Sequence, residues 1–366
     1  MWSQIAALVA KELQQLFASP RNRMVLIMPL VLQLSIFPFA ATMEVRNATL
    51  AVFNEDQGAP AIELLQRLAA ASAFNRVMML HSDAEMRRVI DGQEALLAIR
   101  IPPDFSRRVQ LGEPVRMQAL IDGRRSNAAQ IAFSYAEQVT SMFAAERGAI
   151  RQPVQLVVRN LYNPNLEYQW FVLPSLVAII ATVGCLMVTA LSLAREKEEG
   201  TFDQLMVTPL TPAHIMLGKA IPGIMVSMAQ GGIIAAAAVL VYGVPLTGPA
   251  WLLGVATFAY ALSLSGVGLM ISAICTSQQQ AFMGVFCFMV PSVVLSGYLA
   301  PVENMPAVLQ AVAQVNPLTH FIAMSKGIFL RGQGWADSRG ALAALLAIAA
   351  VTLSLAYAVF WRQTRT

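Results

Sequence analysis

Charge is what this sequence has little of. Only 13% of its 366 residues are Asp, Glu, Lys or Arg, and 57% are hydrophobic. Ordinary soluble domains carry about a quarter charged residues, so much of this surface need not face water. The net charge is only +4. No basic run is interleaved with aromatics, so nothing points to nucleic acid. Cysteine is scarce too. Cys185, Cys275 and Cys287 all fall in apolar stretches, and none lies between Glu44 and Gln169. That excludes a disulfide framework and leaves them as small buried hydrophobes. The histidines, His81, His214 and His320, are single and widely spaced, with no HExxH and no paired CxxC, so no metal site is expected. A phosphate-binding GxxxxGK[ST] loop is also missing. Gly218-Lys219-Ala220 lacks both the glycine-rich turn before it and the hydroxyl after it.

What is present is apolar length. A membrane span needs roughly 20 apolar residues, and six stretches qualify, at 24–43, 170–194, 220–243, 250–274, 281–300 and 340–361. None holds an Asp, Glu, Lys or Arg. The first follows a basic segment, like a signal peptide. It is too long for one and follows a helix-like stretch, so it reads as a retained anchor. Pro29, Pro38, Pro174, Pro222 and Pro291 lie in or near these runs, where packed neighbours can tolerate them.

An even number of spans puts both termini on one side. Lys11, Arg21 and Arg23 precede the first span; Arg195, Lys197 and Lys219 flank the loop after the second; Arg362 and Arg365 follow the last. The positive-inside rule makes that side cytoplasmic. Lys326, Arg331 and Arg339 vote the other way without reversing it. The segment 44–169 is then extracytoplasmic. Short strands are expected at 48–53, 77–80, 95–101, 115–121 and 154–158, with helices between, including 127–147. Ser82-Asp83-Ala84-Glu85 is a capping box. This alternation predicts a compact α/β domain inserted in an α-helical membrane protein.

Residues 1–23 open with an amphipathic helix. Trp2, Ile5, Val9, Leu13 and Leu16 share a face, which suits a membrane interface with Trp2 and Phe17 at headgroup level.

Two further segments are informative. In the loop from Arg195 to Met206, Glu196, Glu198 and Glu199 form an acidic collar, Gly200 breaks the chain, and Thr201 is placed to cap a short helix at about 200–208. Phe202, Leu205 and Met206 give that helix an apolar face. Pro209 ends it, and Thr211-Pro212 begins the next helix. A short helix of this kind suits a groove on a partner; the alternative is an ordinary solvated loop. The second segment, about 302–330, holds two apolar pieces too short to cross, Pro306 to Val315 and Leu318 to Leu330. Gly297, Pro301, Glu303, Pro306, Asn316 and Pro317 shape its turns. It reads as re-entrant or interfacial helices on the outer side. Within the spans, Thr182, Thr189, Ser292 and Ser296 are candidates to line a path. Such hydroxyls also serve simply to pack helices.

The loop E-K-E-E-G-T-F-D-Q-L-M-V-T-P-L-T, the stretch S-G-Y-L-A-P-V-E-N-M-P and the following N-P-L-T-H-F resemble the ABC-2 class of ABC exporter permeases. L-A-V-F-N-E-D at 50–56 and I-P-P-D-F at 101–105 are similar to its multidrug-type members. The resemblance implies a type V exporter-like fold of six transmembrane helices in a bacterial inner membrane. It makes the 201–206 helix a coupling helix on a separate ATPase subunit, which would hold ATP and Mg, with no cofactor on this chain. The N-terminal helix becomes a connecting helix, and 297–317 a re-entrant gate. It further implies a second permease chain, the same or different, meeting along the second and fifth spans. A periplasmic adaptor would dock on the outer domain. The charge-free spans suggest amphipathic or lipophilic cargo, because ion pumps usually carry an intramembrane charge. A membrane-anchored receptor or scaffold is the rival reading, and it would need neither coupling helix nor ATPase.

Overall fold

A computed structural model describes residues 2–40, 48–71, 74–92, 94–95, 97–121, 126–146, 167–208, 210–300 and 302–363. The chain divides into two compact units, Met1–Ala40 with Asn160–Thr366, and Ala41–Arg159.

Helices α1 (Trp2–Ala18) and α2 (Pro20–Ala40) open the first unit. The buried stripe of α1 is Ile5, Leu8, Glu12 and Leu16. It differs from the expected stripe in taking Leu8 and Glu12 rather than Val9 and Leu13. The reason is tertiary: α1 lies on another helix of its own unit, where Leu8 fills the space over Gly218. Phe17 stays exposed. The side chains of Trp2 and Met206, with Pro209, Pro301 and the strand expected at 154–158, lie outside the described residues.

The second unit runs β1 (Ala48–Asn54), α3 (Ala59–Ala70), β2 (Phe74–Leu80), α4 (Asp83–Asp91), β3 (Leu97–Ile101), α5 (Phe105–Leu111), β4 (Gln118–Ile121) and α6 (Ser126–Glu146). The sheet order is β2-β1-β3-β4. β1 pairs in parallel with β2 and β3, and β4 is antiparallel to β3. Side chains alternate across a strand, and here both faces are covered. Leu50 and Val52 pack with Leu64 and Leu68 of α3, Phe105 of α5 and Phe143 of α6. Ala51 and Ala98 pack with Met86 and Val89 of α4 on the other face. Double cover explains why the middle of β1, Leu50 to Phe53, reads as an unbroken apolar run. At α4 the Ser82 hydroxyl accepts the Glu85 amide at 3.2 Å, as expected. The Glu85 carboxylate reaches one residue further back than a capping box requires and accepts the amide of His81 at 2.8 Å.

The first unit continues with α7 (Tyr168–Glu198), α8 (Phe202–Met206), α9 (Pro212–Leu240), α10 (Ala250–Ile274), α11 (Gln278–Leu295), α12 (Ala307–Val315), α13 (Pro317–Lys326) and α14 (Trp335–Gln363). Five of these, α7, α9, α10, α11 and α14, are long and apolar enough to cross a membrane. The first expected span falls on α2, whose apolar stretch Arg23–Phe37 is shorter. The two short pieces after α11 form as anticipated, and a π-helical turn, Gly327–Arg331, extends the second.

α7 is buried almost throughout, and α9, α10, α11 and α13 pack around it. In lipid, helices gain little from hiding apolar surface, so close packing of small residues has to hold them. Thr189 of α7 shows this. A Cβ on Gly223 of α9 would lie 2.4 Å from its methyl, and one on Gly268 of α10 would lie 1.9 Å from its hydroxyl. Both glycines admit α7 into the bundle. α11 buries only Ala281, Val285 and Ser292 and leaves Phe282, Met283, Phe286, Val290 and Val294 exposed.

Candidate coupling and translocation site

The last turn of α7 holds four consecutive charged residues, and each binds a different neighbour. Arg195 reaches Gln15 of α1 at 3.5 Å. Glu196 lies 3.2 Å from Lys219 of α9 and 3.1 Å from Lys11 of α1. Lys197 donates to the carbonyls of Ala273 and Cys275 at the end of α10 and to Gln363 of α14. A lysine at a helix C-terminus satisfies carbonyls that the helix itself leaves free. Glu198 accepts the first amide of α11, that of Gln278, at 2.7 Å.

The loop is fixed to this turn by its own backbone. Gly200 has φ +71°, a left-handed conformation that favours glycine. It lets the amides of Gly200 and Thr201 fold back to the carbonyls of Lys197 and Glu196, at 3.3 and 2.9 Å. That pattern is a Schellman closure. Thr201 does not cap α8 with its side chain; its hydroxyl bonds instead to the Glu196 carbonyl at 3.4 Å. Leu205 is buried. Phe202 is half-buried, edge-on to Phe360 of α14 and under the Lys197 ammonium. The apolar face of α8 thus turns toward its own unit and leaves Asp203, Gln204, Val207 and the collar residue Glu199 exposed. Thr211 caps α9 by accepting the amide of His214, whose ring reaches back to the Thr211 amide.

A buried ionic cluster lies beside the loop. Lys219 Nζ donates to Glu12 Oε1 at 2.7 Å and to Ser192 Oγ at 3.1 Å. The side chains of Lys219, Glu12 and Glu196 are 1%, 2% and 4% exposed. Placing the third span's start at residue 220 hid Lys219, which lies well inside α9. A lone lysine in an apolar helix was the available signal. Glu12 was legible as the only acid of α1.

Thr182 meets the Tyr260 hydroxyl at 2.5 Å and also donates to Ala178. Thr189, Ser292 and Ser296 donate to carbonyls of their own helices. All four are buried. In the short-helix region Gly297 has φ +80°, Glu303 and Pro306 are exposed, and Pro317 is buried. Asn316 joins two helices. Its side-chain amide donates to the Ser292 carbonyl of α11 at 2.7 Å, and its oxygen accepts the Leu318 amide at 3.1 Å. The Ser296 amide is bonded to Val293, so Asn316 supplies the donor that α11 cannot give the Ser292 carbonyl. Thr319 reaches the Leu295 carbonyl in the same way.

Long apolar helices gathered by one charged turn define a multi-pass membrane protein. A family model for ABC-2 family transporter proteins matches residues 23–358, and the chain belongs to that family. It is similar to the probable multidrug ABC transporter permease YbhR of Escherichia coli (strain K12), 47% identical over 99% of this chain and 100% of the relative. It is also similar to the probable multidrug ABC transporter permease YbhS of the same organism, at 26% over 90% and 89%. A third relative is the inner membrane transport permease YhhJ of that strain, at 33% over 69% of each. The chain is therefore the permease component of an ABC-type transporter, and ATP hydrolysis in this family takes place on a separate ATPase partner.

Proposed function

We propose that this permease exports amphipathic or lipophilic molecules, drug-like or lipid-like, across a bacterial inner membrane. α2 is the first of six spans, both termini and α8 are cytoplasmic, and the sheet-containing unit is extracytoplasmic, where a periplasmic adaptor docks. Two permease chains meet along the exposed face of α11, the fifth span, rather than along α7, the second, which its own chain already encloses; an ATPase subunit lies beneath each α8. Ser292 of α11 and Ser296 at its end border the path, Thr182 and Thr189 pack the helices behind it, and the α12–α13 corner closes its outer end. The relatives' multidrug names support the cargo class, and so do the charge-free middles of the long helices.

The observation that carries this reading is the charged last turn of α7, which ties α8 to five other helices. When ATP draws the ATPase subunits together, a helix fixed in this way must tilt the bundle as a rigid body. The contact surface is the exposed side of α8 with Asp203, Gln204 and Val207, backed by Phe202 and Leu205. The test is co-purification from native membranes, comparing the wild-type chain with Val207→Asp and Phe202→Asp. Wild type should bring down an ATPase subunit and hydrolyse ATP, and both variants should insert yet lose most of the bound subunit. An ATPase that remains bound to both variants at wild-type levels would show that α8 is not the contact.

A further inference from the structure

We propose that Glu12, Lys219 and Glu196 form a charge-locked joint that makes α1 and the loop ends of α7 and α9 one lever. The inference rests on the permease reading, and it assigns the three as positioning residues.

The joint is built from three helices. Lys219 of α9 lies 2.7 Å from Glu12 of α1 and 3.2 Å from Glu196 of α7, and all three side chains are almost wholly withdrawn from water. Buried charges are tolerated only in good ionic and hydrogen-bonding geometry, and removing one partner strands the others. That makes the contact discrete. The apolar contact of Leu8 on Gly218 would permit α1 to slip along α9, but a slip of one turn would take Glu12 off Lys219, which keeps Glu196, and strand the Glu12 carboxylate away from its partner. The lock therefore fixes the register of α1 against the spans.

Glu196 connects the lock to the loop. Its carbonyl accepts the Thr201 amide at 2.9 Å and the Thr201 hydroxyl at 3.4 Å, directly before α8. Its carboxylate holds Lys219 and Lys11. A pull on α8 thus reaches α1 and α9 through one residue. The cluster is neutral with two carboxylates and two ammoniums, and Lys11 is its solvent-side member, 48% exposed. The second oxygen of Glu196 is buried with no hydrogen-bond partner. Loss of Lys219 would leave Glu196 with Lys11 alone and take from Glu12 the ammonium it is paired with.

The test is a distance measurement between spin labels at Gln14→Cys and Leu217→Cys, two exposed positions on α1 and α9, with the native cysteines replaced. The permease–ATPase complex is compared nucleotide-free and trapped with ATP and vanadate. With the native joint the distribution should be single, narrow and the same in both states. Glu12→Gln and Lys219→Met should broaden or split it on trapping. The triple replacement Glu12→Met, Lys219→Met, Glu196→Met removes every buried charge while keeping bulk, so it should fold even where a single variant does not. It should also broaden, while the complex hydrolyses ATP with unchanged KM. A narrow distribution in the trapped Glu12→Gln or triple variant would overturn the joint, because those charges would then only support the fold. So would a native distance that changes on trapping. If the wild-type chain binds no ATPase, the permease reading has failed instead, and the label pair in the permease alone still reports whether the register depends on the charges.

Discussion

Asn316 offers the sharpest test of how the α11–α13 corner is held. Its side-chain amide satisfies a carbonyl that α11 leaves unpaired, and its oxygen caps α13; both bonds are buried. Asn316→Ala removes both and leaves the Ser292 carbonyl and the Leu318 amide without partners. A net hydrogen bond contributes about 1 kcal/mol, and an orphaned buried group costs about 1–3 kcal/mol. With partial relaxation the opening free energy of the corner should fall by about 3 kcal/mol. That corresponds to roughly a hundredfold faster exchange of its amides, since each 1.4 kcal/mol is a factor of about ten. Hydrogen exchange read by mass spectrometry on peptides covering 307–331 measures this directly. Asn316→Asp should exchange at least as fast, because it presents an anion to the Ser292 carbonyl in place of a donor. Wild-type exchange rates in both variants would refute the reasoning, and water or Thr319 would have to replace Asn316 as the cap.

Two further predictions concern each unit separately. Asp56 accepts the backbone amides of Ser106 and Gly58 and fixes the end of β1 to α5. Burial pushes its carboxyl up, but these amides and the Ser106 hydroxyl outweigh that and hold it below the ordinary carboxylate range. A depressed folded value means that the stabilisation is complete above about pH 4, the unfolded value, and is lost as pH falls through the lower folded one. Asp56→Asn should therefore destabilise the sheet-containing unit by about 2 kcal/mol at neutral pH, and the difference should vanish in acid melts of the full chain. In the helical unit, Gly268→Ala should destabilise by about 2 kcal/mol through overpacking, because Thr189 is already held against Gly223 and has nowhere to retreat. Thermal unfolding in detergent should show part of that loss recovered by adding Thr189→Ala.

The elements legible in the sequence are those set by local periodicity. Long apolar runs become helices because every backbone group must be satisfied within the segment, and the breaks at Pro306 and Asn316–Pro317 are local as well. β1 is legible because a strand covered on both faces is apolar through its middle, here Leu50 to Phe53. The departures share one cause, tertiary contact across long stretches of chain. Glu12 and Lys219 are 207 residues apart, so no window can pair them, and α1 read alone presents a stripe suited to lipid. The composition of α8 announces an apolar face, but only the ring of Phe360 decides that Phe202 turns inward.

Those departures fall in one place for a physical reason. The middles of the spans need only apolar side chains and small residues to pack, and composition discloses both. The loop end of the bundle has to be stiff where the chain is least apolar. Stiffness there cannot come from close packing of greasy side chains alone, because that packing permits sliding. It has to come from directional contacts, and the run Arg195 to Glu198 provides one to each neighbouring helix. A charge run that reads as a solvated collar is thus largely engaged: Glu196 is buried in the lock, Lys197 is half-buried at the ends of α10 and α14, and Glu198, though exposed, holds the start of α11. What remains to meet a partner is the exposed side of α8 and its rim. The loop can therefore transmit force because its charges are tied to neighbouring helices rather than left to solvent alone.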